Sequence, residues 1–388
     1  MPGSASLRTK SILGHTGELN RGRKNLASPL PFPCCPSLCN SVTQIVRLAQ
    51  IHDSSGMTPL EPSLQGGVVS IGNFDGVHRG HAALLAKVTQ QARKLNAPAV
   101  VVVFDPHPAT ILRPGQVPPR LTWIQRRAEL QSKVGIDFLL VCETTPELLN
   151  LSPEAFFQSL IVDRLKAKAM VEGPNFFFGR DRSGNVETLA ELCRKNDMEF
   201  TVVSPIQKAN EKADDQMVSS TRVRILLSES KISQANEMLG SAYRIRGTVV
   251  AGSKRGREIG FPTANLSDID VVVPGHGVYG GFVQIDSTQI DSAQHIAAIH
   301  IGPNPTFDDK ETAKVEVHLL DYNGDLYGQE ILVDFVTHVR GVVRFDSADQ
   351  LTNQLRKDIA TIRSRLSSCA KSDTDTGPNQ HGPKSTIE

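Results

Sequence analysis

The sequence predicts two successive folds in one chain: an α/β half built on a parallel sheet, then a small antiparallel β half closed by a helix. Three observations predict it. From Val68 to Val203, short apolar runs alternate with helix-periodic stretches, the βαβ rhythm of a parallel sheet. After about Gly240, strand-like runs follow one another with only glycine- or proline-bearing loops between them, which leaves no room for helices. At 388 residues the chain is also too long for one ordinary domain.

The expected strands of the first half are Val68–Ile71, Ala99–Phe104, Phe138–Val141, Ala169–Val171 and Phe200–Val203. Between the first two, Leu84, Leu85, Val88, Ala92 and Leu95 recur at helical spacing. Ser152-Pro153-Glu154 starts a further helix, with a capping hydroxyl, proline at the first position and an acid in the first turn. In the second half, Tyr243–Ala251, Val278–Ile285, Ile296–Ile301, Val315–Leu320 and Ile331–Val339 read as strands of an antiparallel barrel or sandwich. Ser230–Leu239 reads as the helix joining the halves, and Ser347 caps a final amphipathic helix to about Leu366. The expected division is a disordered leader over 1–42, a first domain over 43–240, a second over 241–368 and a disordered tail over 369–388.

Charge excludes several function classes. Lysine plus arginine (42) nearly cancels aspartate plus glutamate (41), so no global field draws the chain to nucleic acid or a membrane. No apolar run reaches spanning length. Cys34, Cys35 and Cys39 crowd the leader, while Cys142, Cys193 and Cys369 are scattered, which gives neither a disulfide framework nor a paired zinc pattern. The leader lacks the continuous apolar core of a secretory signal. The expectation is a cytoplasmic protein that handles small molecules, with no pattern that announces an oligomer interface.

The most informative stretch runs from Val68 to His81. An apolar strand stops at Gly72, and a loop delivers His78 and His81, spaced His-x-Gly-His, to the start of a helix. Backbone N–H groups and the helix dipole favour phosphate there, and open α/β sheets bind ligands at that edge. Two imidazoles at that position can donate to a phosphorus centre as charge builds on its oxygens. Three further segments fall at matching places: Phe104-Asp105-Pro106-His107-Pro108 after the second strand, the Gly173–Asn185 loop after the fourth, and Ser219-Ser220-Thr221 with Arg224 at a later helix start. Capping, turn formation or core packing would explain any one of them alone. Four in the right order favour a nucleotide site.

In the β half, Gly252–Asn265 holds three glycines and three basic residues in a loop able to fold over phosphates, and Thr263 and Asn265 offer hard oxygen ligands. Glu316 lies in an alternating strand. With Val315, Val317 and Leu319 facing the core, Glu316 and His318 share the other face, where a carboxylate can meet a substrate hydroxyl. A surface glutamate would show the same periodicity.

Gly72–His81, Phe104–Pro108, Asn175–Gly179 and Ser219–Arg224 resemble the signatures of bacterial FAD synthetases, whose Rossmann-like nucleotidylyltransferase module transfers AMP from ATP to FMN. Gly256–Leu266, Gly277–Tyr279, Ile301–Phe307 and Val315–His318 resemble riboflavin kinase, a small β-barrel that phosphorylates the ribityl 5′-hydroxyl of riboflavin. The resemblance spans about Thr43 to Leu366 and keeps the order of the bifunctional riboflavin kinase/FAD synthetases. It implies His78 and His81 as transition-state stabilisers and Glu316 as base. It places nucleotide at Gly72, Asn73, Phe74, Asp75, Asn175, Ser219, Ser220, Thr221 and Arg224 in the first half. In the second half it places nucleotide at Gly252, Gly256, Arg257, Gly260, Pro262 and Thr263. Flavin would meet Phe104, Pro106, Phe178 and Arg340, and Mg²⁺ accompanying ATP would meet Thr263 and Asn265. Asn175 stands where many members carry Asp, Pro174 is unusual in its loop, and Val342 and Asn304 depart from the kinase pattern. Two alternatives accompany this reading: another nucleotidylyltransferase sharing the histidine motif, or a flavin-binding regulatory paralogue that has lost one activity.

Overall fold

The computed structural model describes residues 42–49, 60–204, 218–252, 255–285, 294–303 and 313–370. The leader up to residue 41, the tail from 371 and Asn304 lie outside the described residues. Both predicted architectures are present. Strands β1 (Gln44–Leu48), β2 (Val68–Ile71), β3 (Ala99–Asp105), β4 (Phe138–Glu143), β5 (Ala169–Glu172) and β6 (Glu199–Val202) form one sheet in the order β1-β4-β3-β2-β5-β6. Every pairing in it is parallel.

Ala99 to Val103 are all buried, as a strand covered on both faces requires. Helix α1 (Arg79–Lys94) lays Leu85, Val88 and Ala92 on one face of the sheet. On the other face, Leu189, Leu192 and Cys193 of α3 (Val186–Lys195) join Phe156, Phe157 and Leu160. Those phenylalanines come from the segment that Ser152 caps: a helical turn, Pro153–Phe156, running into a π-helical stretch, Phe157–Arg164. Between α1 and α3 in sequence lies α2 (Ile124–Ser132). From β2 the chain adds β3 and β4 on one side, then crosses to place β5 and β6 on the other. The β2 and β5 ends therefore diverge, which opens the crevice where such sheets take ligands.

The second half is a closed barrel, which excludes the sandwich alternative. Strands β7 (Tyr243–Val250), β8 (Ala264–Ser267), β9 (Gly277–Gln284), β10 (Gln294–Gly302), β11 (Lys314–Leu319) and β12 (Glu330–Arg340) run in the order β10-β11-β8-β7-β12-β9 and close through β9 and β10. Tyr243, Ile245 and Val249 point inward by alternation, as do Val315, Val317 and Leu319. At Gly281 a Cβ would overlap the Asp334 carbonyl, and one at Gly280 would lie 3.0 Å from Ile362, so bare backbone lets β9 close against its neighbours. Two strands, β1 (Gln44-Ile45-Val46-Arg47-Leu48) and β8 (Ala264-Asn265-Leu266-Ser267), are not among those expected from the sequence. Pairing holds them: β1 with β4, and β8 with both β7 and β11.

Between the halves lie α4 (Ser220–Ser228) and α5 (Ile232–Leu239), and α5 begins two residues later than the sequence suggests. One apolar cluster joins Leu121 and Trp123 of the first half, Val223 and Leu227 of α4, Met238 of α5, and Tyr243 and Ile245 of the barrel. Polar contacts follow the same seam. Val272 N donates to Arg120 O at 2.8 Å, and the Arg246 guanidinium lies 5.0 Å above the Trp123 ring. The closing helix, α6 (Ala348–Ala370), buries Ile362 and Leu366 against the barrel. No helix among the described residues is long and apolar enough to cross a membrane.

A shared core predicts joint unfolding. Trp123 is the one tryptophan of the chain, so its fluorescence reports the seam. In urea, that signal and far-UV circular dichroism should give coincident transitions. Leu121→Ala should shift both downward by about 3 kcal/mol. Two separated transitions would contradict the shared core.

Candidate active sites

The loop after β2 is held in an uncommon conformation. Phe74 and Val77 have φ of 46° and 41°, in the left-handed region, and Gly76 has 83°. Their surroundings fix them. The Phe74 ring is buried edge-on to His81 at 5.2 Å. Between them, Asp75 is 2 % exposed and accepts from Leu121 N at 2.9 Å, Thr122 N at 3.0 Å and Thr122 Oγ1 at 3.0 Å. Arg224 Nη2 at 2.6 Å and Arg127 Nη2 at 3.4 Å complete its shell.

His78 caps α1: its Nδ1 accepts from His81 N at 3.2 Å. Accepting there assigns the ring proton to Nε2, which makes Nε2 a donor. The His81 ring stacks on it at 3.7 Å. Burial pushes the His78 imidazole down to about 4. His81 lies well below its ordinary value because of burial, with His78 and Arg127 adding to the effect. Both are thus neutral donors at neutral pH.

The crevice between the β2 and β5 ends encloses about 310 Å³. Gly72, Asn73, His78 and His81 line one wall; Gly173, Pro174, Asn175 and Phe176 line the other. Two residues of this site escaped the sequence reading. Glu172, wholly buried at the end of β5, accepts from Ile71 N at 2.6 Å, and burial raises its carboxyl well above the usual range. Arg127, on α2, reaches Asn73 O at 3.2 Å and Asn73 Oδ1 at 3.3 Å. The only sequence signal for Glu172 was a carboxyl at a strand's end. Arg127 gave none.

Several expected ligand contacts are engaged inside the protein instead. The Asp75 carboxylate is enclosed by the donors described above and anchors the loop. Arg224 divides itself between Asp75 and the Pro119 carbonyl, which Nε meets at 2.7 Å. Phe178 is buried against Phe156, and Phe176, stacked on it at 5.4 Å, is the ring that lines the crevice. Ser219 caps α4 by accepting from Arg222 N, and Ser220 Oγ donates to Asp75 O, while Thr221 is exposed. Phe104 is half-buried, 6.2 Å from the Phe156 ring, and Pro106 is exposed just beyond β3.

On the barrel, strand register collects the other candidates. Arg340 pairs with Val278, Val278 with His300, His300 with Glu316, Glu316 with Asn265, and Asn265 with Val250, one row across all the strands. Lys314 Nζ donates to Glu316 Oε1 at 2.6 Å, and His300 Nδ1 stands 3.2 Å from Oε2. The His300 hydrogen bond first, then Lys314, hold the Glu316 carboxyl down to about 2. Arg340 is not open to a ligand: Asp358 takes Nη2 at 2.8 Å and Nε at 3.0 Å, and Nη1 donates to Gly341 O. Val342 and Val343 follow it, both exposed.

Asn265 is 9 % exposed and its Oδ1 has no hydrogen-bond partner among the described residues, which leaves a hard oxygen beside Thr263. That fits a divalent ion arriving with ATP. The described residues hold no cluster of three His, Cys, Asp or Glu that would bind one unaided. Gly252 abuts the Asn265 amide so closely that any Cβ would overlap it. His318 Nδ1, 2.7 Å from Pro262 O, steadies the Pro262-Thr263 turn. A cavity beside them is lined by Arg257, Pro262 and Thr263, with Tyr322, Asp325 and Tyr327 opposite. Gly256 and Gly260 bracket Arg257, and Gly260 has φ of 83°.

Neutral donors at a helix start, and a carboxylate beside hard oxygen ligands, suit nucleotide-dependent group transfer. Comparison with known proteins makes the class definite. The FAD synthetase family model matches residues 60–222, and the riboflavin kinase model matches 239–366. A bifunctional riboflavin kinase/FMN adenylyltransferase of Pseudomonas fluorescens is 35 % identical over 79 % of this chain and 96 % of its own. The one from Listeria monocytogenes is 33 % identical over 75 % of this chain and 90 % of its own. A crystal structure described as a macrolide-efflux protein from Streptococcus pneumoniae superposes with TM-score 0.72 at 30 % identity, over 82 % of this chain and 98 % of that one. The chain belongs to the bifunctional riboflavin kinase/FMN adenylyltransferase family.

Two outcomes follow from the first site. Asp75→Asn leaves the guanidinium groups of buried Arg127 and partly buried Arg224 short of a counter-charge and should cost about 3 kcal/mol in urea unfolding. His78 and His81 are neutral when folded and titrate near 6.5 when unfolded. Their contribution is present above pH 6.5 and is lost as pH falls toward 4. The urea midpoint should drop across that window. His78→Asn, which keeps a capping side chain, should flatten the drop.

Proposed function

We propose that the two halves act in succession on one vitamin. The barrel half moves the γ-phosphate of ATP onto the 5′-hydroxyl of riboflavin, giving FMN. The α/β half moves AMP from a second ATP onto FMN, giving FAD and pyrophosphate. One observation carries this reading: each half has its own phosphate-directed apparatus, neutral imidazoles at a helix start in one and, in the other, an asparagine oxygen with no partner among the described residues, beside a pinned carboxylate.

In the crevice, Nε2–H of His78 and the His81 ring donate to the α-phosphate oxygens as negative charge grows there. The start of α1 adds its backbone N–H groups. Asn175 and Phe176, on the facing wall, receive the nucleotide and its base or the flavin ring. Asp75 and Arg224 keep the loop in place and touch neither substrate.

In the barrel, Thr263 and Asn265 would hold Mg²⁺. When bound, that ion neutralises charge on the ATP phosphates. Arg257 folds over the phosphates, and Glu316 accepts a hydrogen bond from the riboflavin hydroxyl and aims it in line. Catalysis is then mostly positioning. We place this work in the cytoplasm, where ATP and reduced thiols such as Cys142 and Cys193 coexist.

Incubation with riboflavin, ATP and Mg²⁺ followed by flavin separation should yield FMN and then FAD. His81→Ala should stop FAD formation while FMN still accumulates. Glu316→Ala should slow FMN formation about 100-fold or more and leave supplied FMN convertible to FAD. Loss of both activities in either variant would refute independent sites.

A further inference from the structure

Glu172 breaks the rule of its own strand. β5 reads Ala169-Met170-Val171-Glu172 and is buried at all four positions, where a fourth apolar residue would be expected. A carboxyl in that position is costly unless hydrogen bonds use it.

Its side chain stands where the sheet divides. The ladder between β2 and β5 covers only Val68 with Ala169 and Val69 with Met170. On its other side β2 stays paired with β3 through Ile71, and Gly72 N still donates to Val102 O at 3.0 Å. Alternation turns Ile71 N away from β3, toward the strand that has already left. No further rung of the ladder meets it there. Glu172 Oε1 takes that N–H instead, at 2.6 Å. Meanwhile the Glu172 backbone follows β6, pairing with Val202 and accepting from Val203 N at 2.8 Å.

Both walls of the crevice grow from this tie. Ile71 leads into Gly72 and Asn73 on the histidine wall, and Glu172 leads into Gly173, Pro174 and Asn175 on the other. Ile71 and Glu172 themselves line the cavity at its root. The tie also differs in charge from the other buried carboxyl of the loop region. Asp75 is matched by two guanidinium groups, whereas no lysine or arginine among the described residues pairs with Glu172. Burial raises its carboxyl well above the usual range, and the Ile71 amide and Ser70 hydroxyl oppose that only in part. An uncharged strut does not repel the phosphates of a nucleotide.

We propose that Glu172 is a positioning residue for adenylyl transfer: as an uncharged acid it ties the two crevice walls at their root. That tie fixes the gap in which the α-phosphate of the nucleotide meets His78 and His81. The inference rests on the crevice being the FMN adenylyltransferase site. Glu172 acts through Ile71 and the loop that follows, and it takes no proton from either substrate.

The test uses the full chain and measures initial rates of FAD formation from supplied FMN and ATP–Mg²⁺. Riboflavin phosphorylation by the same preparation reports folding of the chain. Glu172→Leu fills the space but strands Ile71 N, and should lower kcat for FAD formation about 30-fold. Its KM for ATP should stay within about threefold, and FMN formation within about twofold. Glu172→Asp, one methylene too short to hold Ile71 N in place, should lower the same kcat about tenfold. Glu172→Gln keeps an acceptor oxygen without charge, and should recover kcat to within about threefold of the wild type with an unchanged KM for ATP. If Glu172→Leu does not fold, the contrast between Asp and Gln decides in its place. A Glu172→Leu enzyme with wild-type kcat overturns the proposal, as does one that loses both activities in parallel. A Gln enzyme as slow as the Asp enzyme also overturns it. So does a Gln enzyme whose KM for ATP falls about tenfold, because that gain would reveal a negative charge on the native residue. A wild-type chain that makes FMN from riboflavin but no FAD from FMN would instead overturn the adenylyltransferase reading, and this inference with it.

Discussion

A carboxylate buried without partners would be ruinous, and Asp75 is only 2 % exposed. Desolvating such an ion costs several kcal/mol, which only close and well-aligned donors offset. Asp75 has them from three directions: the Leu121 and Thr122 amides with the Thr122 hydroxyl, Arg127 of α2, and Arg224 of α4. The histidine loop cannot relax without stripping those donors. That constraint lets Phe74 and Val77 stay left-handed and sets His78 over the first turn of α1. The same donors lead into the seam, because Arg120 and Trp123, flanking Leu121 and Thr122, bond to or stack on the barrel. Loop geometry in one half and the packing between halves thus share one node.

The two sites are electrostatic opposites, and their substrates explain why. On the proposed reading the crevice receives two anions, a nucleoside triphosphate and a flavin phosphate, and fixed negative charge there would work against binding. Its imidazoles are neutral donors, and the buried carboxyl of Glu172 in its lining is driven toward the protonated form by burial. On the same reading a neutral hydroxyl loses its proton at the barrel, and there His300 and Lys314 keep Glu316 ionised. Burial tunes the first site and charge pairing tunes the second.

The sequence made the loops legible but not the directions in which their side chains turn. Apolar periodicity located most strands, and glycine-bearing turns marked the strand ends where ligands gather. It failed for β8, whose Ala264-Asn265-Leu266-Ser267 has no strand-forming bias and is held by neighbours on both sides. It also failed for Asp75 and Arg224. These sit in recognisable motifs, but they are 149 residues apart and neutralise each other, a pairing that only tertiary structure reveals. Phe178 and Phe176 differ by one turn of an irregular loop, so residue type could not say which ring packs inward. Arg127 has no motif at all; its role comes wholly from where α2 docks.

The barrel row shows how core packing becomes site alignment. Arg340, His300, Glu316 and Asn265 fall in line because each strand is locked in register, and a closed barrel leaves no free edge to slip. Side chains alternate, so a shift of one residue in β11 would send Glu316 into the interior and expose Val315 and Val317, both fully buried. Burying an unpaired carboxylate and losing two valines from the core are each prohibitive, so every such register is excluded. The core residues are therefore the ones that decide where the polar groups of the outer face stand.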